Sequence, residues 1–378
     1  MVAAPAAAPA AAAPGPGSAA WLVDLAGAPL PGRRHEDWRF TDLGALTTLE
    51  PRLLDGADPL ALISLPAGVQ RLGAAEAGPW LGQALAATAS ADHWPVRLNA
   101  GAGPALLALR VSGAAAPLEL ALDAGAAAGL AAFRLLLVLE AGSSLELLLR
   151  PCSSAANGLS LVTEVILEPG ASLKLGSLGL GHPQACLLQH TAVLQESGSR
   201  LEHTAVCGGW ALARQEPRIL QRQGAAFTRL RGLQVCRDRQ VADTHSFVCF
   251  EGPDGELDQL HKAVADDQAR SVFNGAVQVP RAAQRTNAAQ LSRNLLLSDR
   301  ARIDTKPELE IVADDVKCAH GATVSRLRTD ELFYLRSRGI AAAQAAQLLQ
   351  RAFCEEVLRE LPVAALPHRP LERLLAEH

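Results

Sequence analysis

Hydrophobic and polar residues alternate along the middle of the chain, and glycines interrupt the alternation at regular intervals. Three segments share the form Glu-x-Gly-x-x-Leu and begin at Glu140, Glu168 and Glu196, which are 28 residues apart. A looser copy begins at Arg222. Apolar runs precede and follow each copy, so each unit is predicted to be a strand, a glycine turn and a second strand.

No helical pattern separates the copies, which favours coils stacked along one axis over alternating strands and helices. We therefore predict a mainly β protein whose core, residues 100–325, is a right-handed parallel β-helix. Equivalent positions of neighbouring coils should stack about 4.8 Å apart. The glutamates are then expected to form an exposed ladder and the leucines of the motif a buried one. A ladder of acids is a conceivable metal site, although solvated turn residues are commoner.

The two ends of the chain differ from this core. Residues 1–18 are nearly all Ala, Pro and Gly, and they are expected to be a disordered tail because they offer too little apolar surface to offset chain entropy. Residues 19–99 are predicted to form a mixed helical module, and residues 326–378 a helical region. We expect these two regions to cap the solenoid.

The C-terminal region is predicted to contain three helices. Thr329 is the expected N-cap of the first helix, which a left-handed Gly339 ends. The second helix, 340–361, carries an apolar stripe and stops at Pro362. The stripe suits packing on the solenoid and docking of a partner equally well. A short last helix is predicted at 371–376.

Charged residues surround two aromatics, Trp38 and Phe40, in the N-terminal module. Aromatics prefer cores, so we expect this motif to be a capped helix that anchors the module to the body. A binding role for the neighbouring Arg33 and Arg34 is the alternative.

Composition and charge exclude several classes of function. The net charge of −4 is spread over mixed acids and bases, without the basic patch that nucleic-acid binding requires. Seven cysteines, an odd number without a Cys-x-x-Cys pair, indicate a reducing compartment, and we expect a cytoplasmic protein. The sequence has no secretory leader pattern and no apolar segment typical of a membrane span.

Histidines and cysteines are frequent between residues 182 and 261, and several lie four residues apart. On a strand this spacing separates two side chains by about 13 Å, too far for one ion, so we do not expect these pairs to bind a metal. Phosphate-binding loops and the local signatures of acyl transfer or zinc hydrolysis are absent from the sequence. Asp314 and Asp315 could in principle serve a polysaccharide hydrolase or lyase, but adjacent strand residues face opposite ways.

Cys318 and His320 are the strongest candidate pair, at the junction of the last predicted strand and the first helix. On an extended segment they share one face about 6 to 7 Å apart. A thiolate and an imidazole can bind a metal there if a partner completes the ligand set. A buried Cys and a hydrogen-bonded His are the commoner alternative.

The residues around this pair resemble a known family. The segments 304–323, with its Cys-x-His-Gly motif, and 332–340, Leu-Phe-Tyr-Leu-Arg-Ser-Arg-Gly-Ile, closely resemble the SufB/SufD family of iron–sulfur cluster assembly scaffolds. Within the family the chain is similar to the SufD branch, because Gly321 follows the histidine where SufB usually has Glu. Three further segments fit the family: 36–43, 271–275 and 294–299.

The resemblance implies a parallel β-helix between helical regions and a subunit without catalysis of its own. It implies pairing with a SufB-like paralogue through the β-helix, and a SufC-like ATPase bound to the C-terminal helices. No tightly bound cofactor is implied, only a transient iron–sulfur cluster or iron shared with the partner at Cys318 and His320, with the imidazole as the stronger candidate ligand. The implied ATPase-docking region comprises Leu332, Phe333, Tyr334, Arg336, Arg338 and Gly339.

Two alternatives stay open at this stage. One is the polysaccharide hydrolase or lyase built on a β-helix, and the other is a structural homo-oligomer without a metal role. A homodimer of the isolated chain is compatible with the scaffold function as well.

Overall fold

Two long sheets face each other and enclose the core of the protein. The computed structural model describes residues 19–61 and 63–376. Its parallel β-solenoid has about 8 turns and is flanked in sequence by helices, which confirms the predicted fold class. The predicted disordered tail, residues 1–18, lies outside the described residues.

The N-terminal region combines short helices with two short strands and two 3₁₀ turns. In chain order its elements are α1 (Ala20–Ala26), the turns Glu36–Trp38 and Gly44–Thr48, β1 (Leu53–Leu54), β2 (Val69–Arg71), α2 (Ala74–Ala77), α3 (Gln83–Ala87) and α4 (Trp94–Gly101). Trp38 is buried and its ring lies edge-on to Trp94 at 6.1 Å, whereas Phe40 is only half-buried. Arg33 and Arg34 are exposed.

The solenoid is built by strands that alternate between the two sheets. They are β3 (Ala105–Val111), β4 (Leu118–Asp123), β5 (Leu130–Leu139), β6 (Ser144–Cys152), β7 (Gly158–Leu167), β8 (Ser172–Leu180), β9 (Cys186–Gln195), β10 (Arg200–Gly208), β11 (Leu212–Gln221), β12 (Phe227–Cys236), β13 (Val241–Phe250), β14 (Glu256–Ala265), β15 (Arg270–Val279), β16 (Asn287–Leu296), β17 (Arg302–Ile311) and β18 (Lys317–Ser325).

From β3 onward, odd-numbered strands form one sheet and even-numbered strands the other. The ten-stranded sheet has the order β17-β15-β13-β11-β9-β7-β5-β3-β2, with β1 paired to β5, and the eight-stranded sheet runs from β18 through every even strand to β4. Each coil therefore contributes one strand to each sheet. Among the strands of the described residues only β2 pairs antiparallel, and it covers the edge of β3.

The glycines of the repeat occupy the turns between the two strands of a coil. Gly142, Gly170 and Gly198 have φ of +69°, +71° and +68°, a left-handed conformation that favours glycine. The leucines that follow them stack in register and are buried, as predicted: Leu145, Leu173 and Leu201.

The glutamates of the repeat are half-buried, so the prediction of an exposed ladder was wrong in this respect. Neighbouring arginines cover two of them: Glu140 forms an ion pair with Arg110, and Glu196 one with Arg222 at 3.0 Å. Glu168 accepts a hydrogen bond from a backbone amide of the preceding turn. Each of the three glutamates is therefore a turn residue with its own ion-pair or hydrogen-bond partner.

The interior between the sheets changes in polarity along the solenoid. Its first coils are filled by leucines such as Leu147 and Leu175. From β9 onward glutamine, serine, threonine and histidine side chains share the interior, among them Gln189, Gln215 and Gln259. The amide of Gln215 donates to Gln189 at 3.3 Å, so some polar side chains of the interior form hydrogen bonds with one another.

The C-terminal region contains α5 (Thr329–Ser337), α6 (Ala342–Leu358), a 3₁₀ turn (Val363–His368) and α7 (Pro370–Leu375). Thr329 is the first helical residue of α5, and Arg328 precedes it as N-cap, so the predicted cap was one position off. Gly339 ends this helix with φ of +85°, as predicted.

The C-terminal helices cover a face of the solenoid and leave its last coil open. Cys354 and Val357 of α6 are buried against Val206 and Leu233 on the outer face of the eight-stranded sheet, and Leu374 of α7 joins the same cluster. The apolar stripe thus packs on the chain's own body. The expectation that these helices cap the end of the solenoid was wrong, because their buried side chains pack on the outer face of the eight-stranded sheet.

None of the helices in the described parts of the chain has the length and apolar character needed to cross a membrane.

Candidate functional site

The last strand of each sheet has one edge that no other strand covers within the described residues. Strand β18 pairs with β16 alone, and β17 pairs with β15 alone. Most residues of both strands are half-buried or exposed, in contrast to the buried strands of the preceding coils. An unpaired edge offers a row of backbone donors and acceptors to another chain.

Cys318 and His320 lie together on β18. In the parallel register they stand opposite Ala288 and Gln290 of β16. Cys318 is partly buried and packs against the interior apolar cluster, and because His320 is two residues further along the strand it faces the same side. His320 itself is exposed. The structure therefore brings the predicted pair to one face at the open end.

Burial raises the pKa of the Cys318 thiol above its usual value. The thiol is consequently protonated at neutral pH, and a bound cation or a basic partner group is needed to convert it to the thiolate that ligates metals. His320 has no hydrogen-bond or ion-pair partner among the described residues, so its ring nitrogens are available to a ligand.

Polar side chains lie directly beneath His320 in the interior. Gln290 donates to Gln259 at 2.9 Å, and the next polar residue in this column is His203, two strands further along the sheet. His261 stacks on Phe273 with ring centroids 4.2 Å apart, and neither of its ring nitrogens has a hydrogen-bond partner in the described residues. Sequence reasoning missed this polar interior.

The chain matches the family model described as SUF system FeS cluster assembly, SufBD core domain, over residues 122–353. The chain belongs to the SufBD family. The match includes β18 and α5 and confirms the resemblance on which the sequence-based prediction rests.

Several SufBD relatives resemble this chain. An iron–sulfur cluster assembly SufBD family protein of Synechocystis sp. is 49% identical over 179 residues, 47% of this chain and 40% of that protein. The iron–sulfur cluster assembly protein SufD of Escherichia coli is 36% identical over 182 residues, 48% of this chain and 43% of that protein. SufD of Bacillus subtilis is 42% identical over 129 residues, 34% of this chain and 30% of that protein. The matches span less than half of each relative's length.

The predicted docking region of this SufBD protein is the surface of α5 and the residues that follow it. No residue of α5 is buried. Phe333 and Tyr334 are 71% and 58% exposed, Leu332 is half-buried, and the Arg338 guanidinium lies 5.3 Å from the Tyr334 ring. The three other predicted positions are also exposed: Arg336, Arg338 and Gly339. Two large exposed aromatics on one short helix are a feature of protein-binding surfaces.

The histidines and cysteines between residues 182 and 261 of this SufBD protein are distributed over both faces of the sheets. His203 and Cys207 are buried on the inner side, whereas Cys186 and His190 are buried on the outer side of the ten-stranded sheet. Within the described residues, one group of three potential ligands meets the distance expected of a metal site, and His190 is its one member from among these histidines and cysteines. The repeat alone could not identify the other two members.

Proposed function

We propose that this chain is a non-catalytic scaffold subunit of a cytoplasmic iron–sulfur cluster assembly complex of the SufBCD type. In this proposal a SufB-like subunit pairs with the open edges of β17 and β18, and a SufC-like ATPase binds α5. The observation that carries the proposal is the position of Cys318 and His320 on an uncovered edge strand, in a family described by cluster assembly.

The two side chains have different roles in the proposal. An exposed imidazole without protein partners can bind iron through a ring nitrogen at little cost, so His320 is the first ligand. The Cys318 thiol becomes a ligand only after deprotonation, which a bound cation promotes. Two side chains do not complete a tetrahedral site, so the partner subunit supplies the others, and the cluster or iron is transient cargo.

The test is co-expression with SufB-like and SufC-like partners, followed by anaerobic purification and determination of iron and acid-labile sulfide per complex. His320→Ala is expected to lower both by about tenfold, as loss of a metal ligand costs at least as much affinity as loss of its outer hydrogen-bond partner. Thr323→Ala is the matched control, since Thr323 lies on the opposite face of the same strand.

The partners should co-purify with both variants, because neither substitution alters the strand edge. If iron and sulfide stay at the wild-type level in His320→Ala and in Cys318→Ala, the pair has no role in holding the cluster. If the wild-type chain fails to retain a SufB-like subunit, the proposed assembly itself is wrong.

A further inference from the structure

A cluster of three potential metal ligands lies on the outer face of the ten-stranded sheet, where the N-terminal region covers it. His190 of β9 and Glu216 of β11 stand directly opposite each other in the strand register. His93, just before α4, reaches the same point from the N-terminal region. The Nδ1 atoms of His190 and His93 lie 2.9 Å and 3.1 Å from the Oε2 atom of Glu216.

The carboxylate of Glu216 is held in place from its other side. Arg214, which is 2% exposed, donates through Nε to Oε1 of Glu216 at 2.6 Å and also forms an ion pair with Asp243. Its guanidinium lies 3.6 Å from the ring of Trp38. Because Arg214 fixes one carboxylate oxygen, the other is directed at the two imidazoles, as outer-shell groups do for metal ligands.

We propose that His93, His190 and Glu216 bind one divalent transition-metal cation, Zn²⁺ or Fe²⁺. Their three ligand atoms lie within 4.8 Å of one another. Metal–ligand bonds of about 2.0 to 2.2 Å place neighbouring ligand atoms about 3 Å apart, which matches both nitrogen–oxygen distances. Two imidazoles and one carboxylate are the donor set of zinc and non-haem iron sites that keep an open position.

The protonation states of the cluster suit a cation. Burial opposes ionisation of Glu216, but the Arg214 charge and the two histidines outweigh it and hold its pKa well below the usual value. Burial lowers the pKa of His190 despite its hydrogen bond to Glu216. The charged carboxylate requires the hydrogen of each contact to sit on Nδ1, so a bound cation would displace that hydrogen from the ring nitrogen.

The site is also accessible from solvent. The side chain of His93 is 27% exposed, and His93 and Glu216 line an open cavity through which an ion and a further ligand can enter. Arg218 lines the same cavity but is engaged elsewhere, because its Nε donates to the carbonyl of Thr88 and its guanidinium lies 4.2 Å from the Phe247 ring. A hydrogen-bonded cluster without metal is the competing explanation.

Metal binding should be measured in the full chain carrying Cys318→Ala and His320→Ala, so that the proposed cluster ligands do not contribute. We expect one Zn²⁺ or, under anaerobic conditions, one Fe²⁺ per chain by isothermal titration calorimetry at neutral pH. Adding His93→Ala should weaken binding by at least about tenfold. His245→Ala is the matched control, since His245 lines the same cavity but pairs with Asp243 at 3.1 Å.

X-ray absorption spectroscopy at the metal edge identifies the ligand atoms independently. We expect nitrogen and oxygen ligands and no sulfur. His93→Asn provides a smaller change if His93→Ala perturbs the fold by circular dichroism. The proposal is overturned if neither ion binds stoichiometrically, if sulfur ligates the metal, or if both His93 variants bind like the control. None of these outcomes bears on the cluster site of β18, which the background variant lacks.

Discussion

At the scale of single residues, the histidines inside the solenoid have pKa values that their surroundings alter strongly. Burial lowers the pKa of His203 to about 4 and that of His261 to about 3. Both are therefore neutral at physiological pH, which avoids the large cost of a buried unpaired charge. The interior accepts them as polar but uncharged side chains among glutamines and threonines.

The lowered pKa of His203 makes stability depend on pH. The folded pKa, about 4, lies below the unfolded value of about 6.5. Between these values the unfolded chain binds more protons, so the stability present above pH 6.5 is lost as pH falls toward 4. At 1.36 kcal/mol per pKa unit, His203 contributes up to about 3 kcal/mol to the change in unfolding free energy between pH 6.5 and pH 4.

We predict that His203→Gln flattens the pH dependence of the unfolding free energy between pH 6.5 and 4 by about 3 kcal/mol. Urea unfolding followed by circular dichroism at several pH values measures it. His35→Gln is the control, since His35 is exposed and its substitution should leave the slope unchanged. Equal slopes in wild type and His203→Gln would contradict the prediction.

At the scale of secondary-structure elements, the repeat predicted strands and turns correctly because left-handed glycines and apolar runs recur in every coil. It could not predict the polar interior. In β14 the inward-facing Gln259 and His261 alternate with Asp258 and Lys262, so both faces are polar and alternation does not identify the inner one. The contact of His93 with the ten-stranded sheet could not be predicted either, because the packing of the N-terminal region on that sheet produces no periodic sequence pattern.

Helix α5 is the element on which the proposed ATPase contact rests. Its deletion together with α6 and α7 would be a poor test, because α6 and α7 bury apolar side chains against the sheet. Point variants at exposed positions avoid this problem.

Phe333→Ala combined with Tyr334→Ala is predicted to weaken SufC-like ATPase binding by more than about 2 kcal/mol, the range of interface hot spots. Surface plasmon resonance with the purified ATPase measures this effect. The melting temperature should not change, since both side chains are mostly exposed. Leu366→Ala, 71% exposed on the 3₁₀ turn after α6, is the control, and equal affinities for both variants would argue against this docking surface.

At the scale of the whole molecule, the two ends of the solenoid differ. In the first coil β2 covers the edge of β3 by antiparallel pairing while β4 ends its sheet, whereas in the last coil both β17 and β18 expose their outer edges within the described residues. The sequence indicated a helical C-terminal region with an apolar stripe, but a stripe does not specify which apolar surface it covers. Helix α6 packs on the outer face of the eight-stranded sheet, so the last coil stays accessible to another chain.

The open end is therefore predicted to associate with a second chain even when no SufB-like partner is present. Ile311 of β17 and Val324 of β18 are 42% and 45% exposed, an unusual exposure for apolar side chains on the last strand of each sheet. Joining two such ends edge to edge would bury them, and a charge at either position would have to be desolvated in the interface.

Ile311→Asp and Val324→Asp are each expected to weaken self-association by at least about tenfold, or about 1.4 kcal/mol. Sedimentation equilibrium over a range of protein concentrations gives the dissociation constants. Leu348→Asp is the matched control, because Leu348 is 47% exposed but lies on α6. If the control weakens association as much as the edge variants do, the chains meet through the helical face and the open edges are not the interface.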